Sequence, residues 1–417
     1  MLNGNGLHES WIDQFVEATD SLPSPQIFRK WAAIGAVAGV LERKVWTSTY
    51  GIMTTYAHMY IILTGPPGTG KSVAIEPVET MWREIAAEGD GNPMLDFKIA
   101  PTSMTRASLT DTLSQAKREF VVPGVIPPQI ASYNSLLVPQ SELGNMMPSY
   151  DSEFILFLTR IFDCRPFEER KRVGNINISV PNPQLHILGG TTPSFLGKYF
   201  AEGTWDQGFT SRAMLIFSAE TFRTNPFAFV DNKLIVSRLA TLKQKLKAIG
   251  TLFGSMSWSP DAIKAYWYWI ESGEPPVPEH TKLQYYLPRR KTHLQKLAMV
   301  ACVARSQTLF IELEDYQTAL GWLLEAEAYM GDIFMSMNTS GDGELMEDAY
   351  IYMMKESSRL GGLLPQRMLF SFLKDRTPAH NISRVAEIML RSGMIEAVVD
   401  DSKVYYKPRP SMEHKRV

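Results

Sequence analysis

Only two cysteines occur in the 417 residues, Cys164 and Cys302, far apart and without Cys-x-x-Cys spacing. That argues against a disulfide framework or a cysteine zinc site and fits a reducing compartment. Long hydrophobic runs are missing as well. The longest, Trp31 to Leu41, is about half of the ~20 residues a membrane span needs, and Arg43 and Lys44 follow it at once. It predicts a buried helix. The opening MLNGNGLHES has no basic segment leading into an apolar one, so no signal peptide is expected, and the expected location is cytoplasmic with no membrane partner. Charge of one sign is also scarce, since 42 Lys+Arg nearly balance 44 Asp+Glu. Any contact with nucleic acid must therefore come from a local patch, or from a ring of subunits that concentrates one.

What is present fits a folded chain: 45% of residues are hydrophobic and 21% charged. Residues 1–55 read as helical, with Ser10 as an N-cap before Trp11, Ile12, Phe15 and Val16, and a second helix from Gln26 after Pro23-Ser24-Pro25. Over 56–225 short apolar runs alternate with longer amphipathic ones. The expected strands are Tyr56–Leu63, Asp96–Ile99, Ser135–Val138, Gln184–Leu188 and Ala213–Phe217. Such alternation predicts an α/β fold with a mostly parallel, doubly wound sheet. From 226 to 337 the strand signal disappears and a helical lid is expected. Asn338 to Gly343 reads as a linker, and 342–410 shows three helices and a hairpin, the pattern of a winged helix.

Residues 65–72 read Gly65-Pro66-Pro67-Gly68-Thr69-Gly70-Lys71-Ser72, a full match to G-x-x-x-x-G-K-[ST]. Glycines let the backbone curl its N–H groups toward phosphates, Lys71 charges the β/γ-phosphate site, and the Ser72 hydroxyl is a Mg²⁺ ligand. The following helix turns its positive end toward the anion. An apolar strand, Met59 to Leu63, precedes the loop, so ATP and Mg²⁺ are the expected ligands.

Phosphoryl transfer also needs an acid, a group that orients water and a cation on the γ-phosphate. After Leu136-Leu137-Val138 comes Pro139-Gln140-Ser141-Glu142, in which Ser141 stands where an Asp usually precedes the Glu. Glu142 is the candidate base that polarises water, and a plain surface carboxylate is the alternative. The strand from Leu185 ends Gly-Gly-Thr191-Thr192-Pro, where Thr192 is the candidate γ-phosphate sensor, with Thr191 second and strand-end capping the rival reading. Arg212 stands immediately before the apolar strand Ala213–Phe217. It can act as a finger on a neighbouring subunit's nucleotide or as a local salt bridge. Arg289, His293 and Lys296 share a helical face by spacing, and Arg289, Arg290 or Lys296 is expected as a second sensor, against an exposed basic face.

These motifs, in this order, with Phe28 to Ile34 as a lead-in and Ala100 to Ser103 before a Thr-initiated helix, resemble the virus- and mobile-element-encoded P-loop ATPases found beside primases, related to the helicase branches of AAA+. The resemblance covers roughly residues 20 to 335 and is most specific at the phosphate loop. It implies a hexameric ring with ATP sites between subunits and a role in phage or mobile-element DNA replication. Ser141 departs from the pattern and weakens the motor reading more than the nucleotide-binding one.

Candidate DNA contacts are Arg170, Lys171 and Arg172 at the turn of an expected hairpin, which in related helicases lines the central channel. Six copies would make a positive ring for single-stranded DNA. Glu168 and Glu169 can instead neutralise two of the three. Residues 342–417 carry 12 Lys+Arg against 11 Asp+Glu, and the acidic wing tip favours a replication-protein contact over duplex readout. Tyr266-Trp267-Tyr268-Trp269 reads as core rather than a base-stacking platform. The leading expectation is a replicative helicase translocating on single-stranded DNA. A helicase loader using ATP as a switch is the second, and a protein-remodelling regulatory or defence ATPase the third.

Overall fold

The computed structural model describes residues 9–49, 53–89, 91–102, 104–146, 152–171, 176–199, 208–222, 232–374, 376–377, 379–400 and 403–409. Two compact units divide the chain, Met1–Phe334 and Met335–Val417.

The first unit begins with α1 (Trp11–Ala18), capped by the Ser10 hydroxyl, and α2 (Gln26–Leu41). Almost every residue of α2 is buried, as an apolar run without a polar face requires. Gly35 and Gly39 allow that burial: a Cβ at Gly39 would lie 2.7 Å from the Trp82 ring, and one at Gly35 3.3 Å from Ile61 and Leu188. Next come β1 (Val45–Thr49), β2 (Met53–Tyr56), β3 (Tyr60–Thr64), α3 (Lys71–Glu88), α4 (Arg106–Gln115), β4 (Lys117–Val121) and β5 (Ile130–Gln140). They are followed by α5 (Ser152–Phe162), β6 (Phe167–Lys171), β7 (Ile176–Val180), β8 (Pro183–Thr191), α6 (Pro193–Tyr199) and β9 (Ala213–Phe217). The unit continues through α7 (Asn232–Gly250), β10 (Gly254–Trp258), α8 (Pro260–Glu271), α9 (Arg290–Ser306), β11 (Phe310–Ile311) and into α10 (Leu313–Arg359).

The main sheet has the order β4-β5-β8-β3-β9. Its neighbours are parallel except β4, which runs antiparallel to β5. Strands β3, β8 and β9 are buried along their whole length, as strands covered on both faces must be. The chain passes from β3 over β8 to β5, returns to β8 and then crosses to β9, so its direction across the sheet reverses beside β3. Ligands bind outside the carboxyl ends of strands at such a reversal.

Several expected elements differ. Tyr56–Leu63 is broken at Ala57-His58-Met59, and Asp96–Ile99 is reduced to one parallel bridge from Ile99 to Leu137. The Asp96 carbonyl there accepts from Arg118 instead of from a strand. Residues 1–55 are not helical throughout, and 226–337 is not free of strands. β1 pairs in parallel with β10 from about 200 residues onward, in a second sheet of order β11-β10-β1-β2. No linker interrupts 338–343, which continue α10. The two glycines, at about 1 kcal/mol each, do not outweigh the helix formers on either side.

A sealed ionic cluster sits between these sheets. Glu42, 1% exposed, takes Arg118 bidentately (Nε to Oε1 and Nη2 to Oε2, both 3.1 Å), the Tyr133 hydroxyl at 2.9 Å and the Lys44 ammonium at 3.4 Å. The remaining Arg118 donors meet the carbonyls of Pro93, Met94 and Asp96.

The second unit holds β12 (Leu364–Pro365), α11 (Gln366–Lys374), α12 (Ala379–Arg391), β13 (Ile395–Asp400) and β14 (Lys403–Pro408). Its sheet runs β12-β14-β13 around a core of Leu369, Leu373, Val385, Met389, Ile395 and Tyr406. Among the described residues no helix is long and apolar enough to cross a membrane.

Candidate functional site

The carboxyl edge of the main sheet gathers most of the motif residues. β3 ends at Thr64, and residues 65–70 curl back before α3 starts at Lys71. Gly68 and Gly70 hold φ of 82° and 76°, the left-handed region that favours glycine. A Cβ at Gly70 would collide with the Pro23 carbonyl, and one at Gly65 with the Ser218 carbonyl. The loop is thus wedged between the α1–α2 connection and the end of β9. Inside it, the Lys71 ammonium donates to the carbonyls of Gly65 and Pro66, both at 2.8 Å, and to Thr69 Oγ1 at 3.2 Å. Thr69 Oγ1 in turn donates to Pro66 O at 2.9 Å. The first turn of α3 carries no acidic residue and Gly70 provides no side-chain cap, so the positive end of an 18-residue helix is left uncompensated beside exposed Ser72.

Neighbouring strand ends close on this loop. The Gly65 N–H donates to Thr191 O at 3.3 Å, and Ser218 N–H to Thr64 O at 3.1 Å. A Cβ at Gly190 would strike the Ser141 carbonyl at 2.6 Å and stand 3.4 Å from Lys71 Cβ. Glu142, exposed just past β5, is close enough to act on Lys71: burial lowers the Lys71 pKa and the Glu142 charge opposes that shift. Gln140 is a residue the sequence did not single out. Its Nε2 donates to the carbonyls of Thr102 and Glu142, while its buried Oε1 meets no hydrogen-bond partner. Thr192 caps α6, accepting from Phe195 N–H at 3.3 Å with Ser194 Oγ at 3.0 Å. Thr191 is buried opposite Thr64.

Arg212 lies at the other edge. The register Tyr60↔Ala213 puts it beside the amino end of β3, five residues or roughly 16 Å of strand from the loop. It does not reach its own chain's phosphate loop. Its guanidinium, 8% exposed, grips Asp163 bidentately at 2.7 and 3.2 Å and donates to Gly208 O at 2.8 Å. Arg289 adds a contact of 3.3 Å to the same carboxylate. Burial pushes the Asp163 carboxyl up, but Arg212, Arg289 and Arg165 hold it below its ordinary value. No spacing in the sequence marks Asp163, which follows the last residue of α5.

The expected second sensors are placed otherwise. α9 packs against the start of β9, with His293 Nε2 3.0 Å from Ser211 O. That packing puts Arg289 and Lys296 at the amino edge with Arg212. Lys296 is buried, donates to His58 O at 2.6 Å and lies 4.5 Å from the Phe162 ring centroid. Arg290 is 1% exposed and bidentate to Glu327, both bonds 2.7 Å, with its guanidinium over the Trp269 ring. None of the three approaches the phosphate loop of the same chain, and the face shared by His293 and Lys296 points inward, not to solvent.

β6 and β7 pair antiparallel, with Arg170 opposite Asn177 and Lys171 opposite Ile176. Arg172 lies outside the described residues. On α8 Trp269 is buried as expected, but Trp267 and Tyr268 are 56% and 72% exposed. Among the described residues no cluster of three His, Cys, Asp or Glu could hold a metal by itself. No protein-family model matches the chain, and no curated protein matches it.

Proposed function

We propose that the chain is a P-loop ATPase of the AAA+ type that binds ATP with Mg²⁺ at Gly65–Ser72 and acts on DNA as a ring-forming helicase. The observation that carries this reading is the meeting of Lys71, Ser72, Ser141-Glu142 and Thr191-Thr192 at one sheet edge, beside an uncompensated helix N-terminus. Lys71 exchanges the Gly65 and Pro66 carbonyls for β/γ-phosphate oxygens. The Ser72 hydroxyl would hold Mg²⁺ together with phosphate oxygens and water, and the ion would supply positive charge against that developing on the phosphates. Glu142 orients and polarises the attacking water, and Thr192 contributes its hydroxyl at the γ-phosphate side. Arg212 serves the nucleotide of a second copy, since its own loop lies at the far edge of the sheet. Arg170, Lys171 and Arg172 supply the backbone contact to single-stranded DNA.

The test is steady-state ATP hydrolysis with and without single-stranded DNA. A motor shows strong stimulation by DNA, lost in Lys71→Ala and in the Arg170/Lys171/Arg172→Ala triple replacement. Binding of ATP with negligible turnover that DNA does not change would sink the motor. The second reading, a loader that uses ATP as a switch, would then stand. Two observations favour it: Ser141 in the place of the usual Asp, and an Arg212 held by its own Asp163. In that case the 342–410 unit, read as a winged helix, docks the partner.

A further inference from the structure

Away from the phosphate loop, at the amino edge of the sheet, a cavity of about 310 Å³ opens beside Tyr56, His58, Asp163, Arg165, Arg289 and Lys296. Among the described residues that line it, Asp163 is the single acid, and two arginines, Arg165 and Arg289, stand beside it. Arg212, behind it, already occupies both carboxylate oxygens. Arg289 therefore shares, at 3.3 Å, a carboxylate that Arg212 already holds, and Arg165 is exposed with its charge acting on the same group. Lys296, at the back of the cavity, is taken up by His58: it donates to His58 O at 2.6 Å and lies 3.4 and 3.5 Å from the His58 ring nitrogens. Thr54, Thr292 and Tyr56 also line it, with Phe162 as an apolar side. A neighbouring cavity of about 480 Å³ shares Asp163 and Arg165 but is lined by Glu153, Glu168 and Glu169, which would repel an anion. Arginine charge in excess of carboxylate, partly buried beside open space, is the chemistry of an oxyanion receptor.

We propose that this cavity is a binding site for a phosphate group, distinct from the Gly65–Ser72 loop, in which Arg165 and Arg289 hold the anion and Asp163 is the resident counter-ion it displaces. The phosphate arrives either as a free anion or as the end of a nucleotide held by a second copy of the chain. Either way the anion takes Arg289 from Asp163, and through Asp163 it acts on Arg212. Occupancy here and the posture of Arg212 are then coupled.

Calorimetric titration of the full chain carrying Lys71→Ala with pyrophosphate tests the site without the phosphate-loop lysine. The expected result is saturable binding to one site, weakened at least tenfold by adding Arg289→Ala or Arg165→Ala. Arg289→Lys, which keeps the charge, recovers most of the affinity and separates lost recognition from lost folding. Asp163→Asn, with no competing charge, tightens binding several-fold. No binding to the Lys71→Ala chain, or binding that neither arginine replacement weakens, overturns the site. Weakening by Asp163→Asn overturns the role given to that carboxylate. A second arm identifies the source: the Lys71→Ala chain is mixed with an Arg165→Ala/Arg289→Ala chain that keeps its loop. A complex that requires ATP supports a nucleotide presented by a second copy; no complex supports the free anion. Because pyrophosphate is read in a chain lacking Lys71, its failure leaves the proposed ATP site untouched.

Discussion

Glu42 and Asp163 each gather arginine around one carboxylate, but they live in different surroundings. Glu42, Arg118, Lys44 and Tyr133 are all at most 5% exposed, and every Arg118 nitrogen has an acceptor. Burial lowers the Lys44 pKa to about 8, and the Glu42 charge opposes that shift. Asp163 keeps a side chain 15% exposed, touches two cavities and is outnumbered by arginines. One cluster is closed in hydrogen bonding and sealed from solvent; the other keeps its arginines beside open space. Charge next to open space is a binding feature, and charge sealed in with its donors matched is a structural one.

The largest test of that contrast is stability. Arg118→Met strands the Glu42 charge in the interior and is expected to cost about 3–5 kcal/mol by urea unfolding, the range for breaking a buried pair. Asp163→Asn, beside open cavities, is expected to cost about 1 kcal/mol. Equal losses in both would erase the distinction between a sealed and an open cluster.

Acidity gives the next test. Burial, above all, lowers Lys296 from its ordinary 10.5 to about 7. Between those two values the unfolded chain carries a proton that the folded chain does not, so stability rises with pH. Lys44 acts in the same direction from about 8. Above the ordinary thiol value of 9.0 the trend opposes, because the Cys302 thiol is pushed up to about 12 and keeps its proton in the fold. Unfolding midpoints should therefore climb from pH 7 to 9, by up to about 1.4 kcal/mol per pH unit for each lysine. Lys296→Met should remove its share of the slope and leave that of Lys44. A slope unchanged in that variant would show that the open cluster does not hold Lys296 neutral.

Gly70→Ala tests the loop and not the clusters. It forces a Cβ into a left-handed residue and into the Pro23 carbonyl, at about 1–2 kcal/mol for the backbone alone. ATP affinity, measured by a fluorescent nucleotide, should fall further than stability does. The smallest effect is expected on α8, where Trp267→Ala and Tyr268→Ala should each change stability by about 0.5 kcal/mol or less. A larger change would mean that this exposed pair is covered.

How much of this was legible in the sequence depended on range. The loop Gly65–Ser72 and the strands β3, β8 and β9 announce themselves locally, through glycines at fixed offsets and short apolar runs. The broken strand at His58 does not, because its partners are remote: Lys296, more than 200 residues away, bonds the His58 carbonyl, and the Met59 N–H donates to His186 Nδ1. Pairing of β1 with β10 is hidden for the same reason: Val45 and Gly254 carry no mark of each other. Helical spacing correctly grouped His293 and Lys296, but periodicity says only that two residues share a face, not which way it points. Cations on an inward face contradict the ordinary rule, and Asp163 and His58, which make that face possible, carry no motif.

The floor beneath Gly70 has one more consequence. Pro23 and Ser24, from the connection between the first two helices, fill the space that a side chain on the loop's last glycine would need. The letters Gly65 to Ser72 are therefore not portable by themselves. A graft of β3, the loop and α3 onto another sheet would carry the whole signature and leave its support behind. So would trimming the chain to start at the sheet. What a signature marks is the point of touch, and here the smallest working inheritance reaches back at least to residue 23.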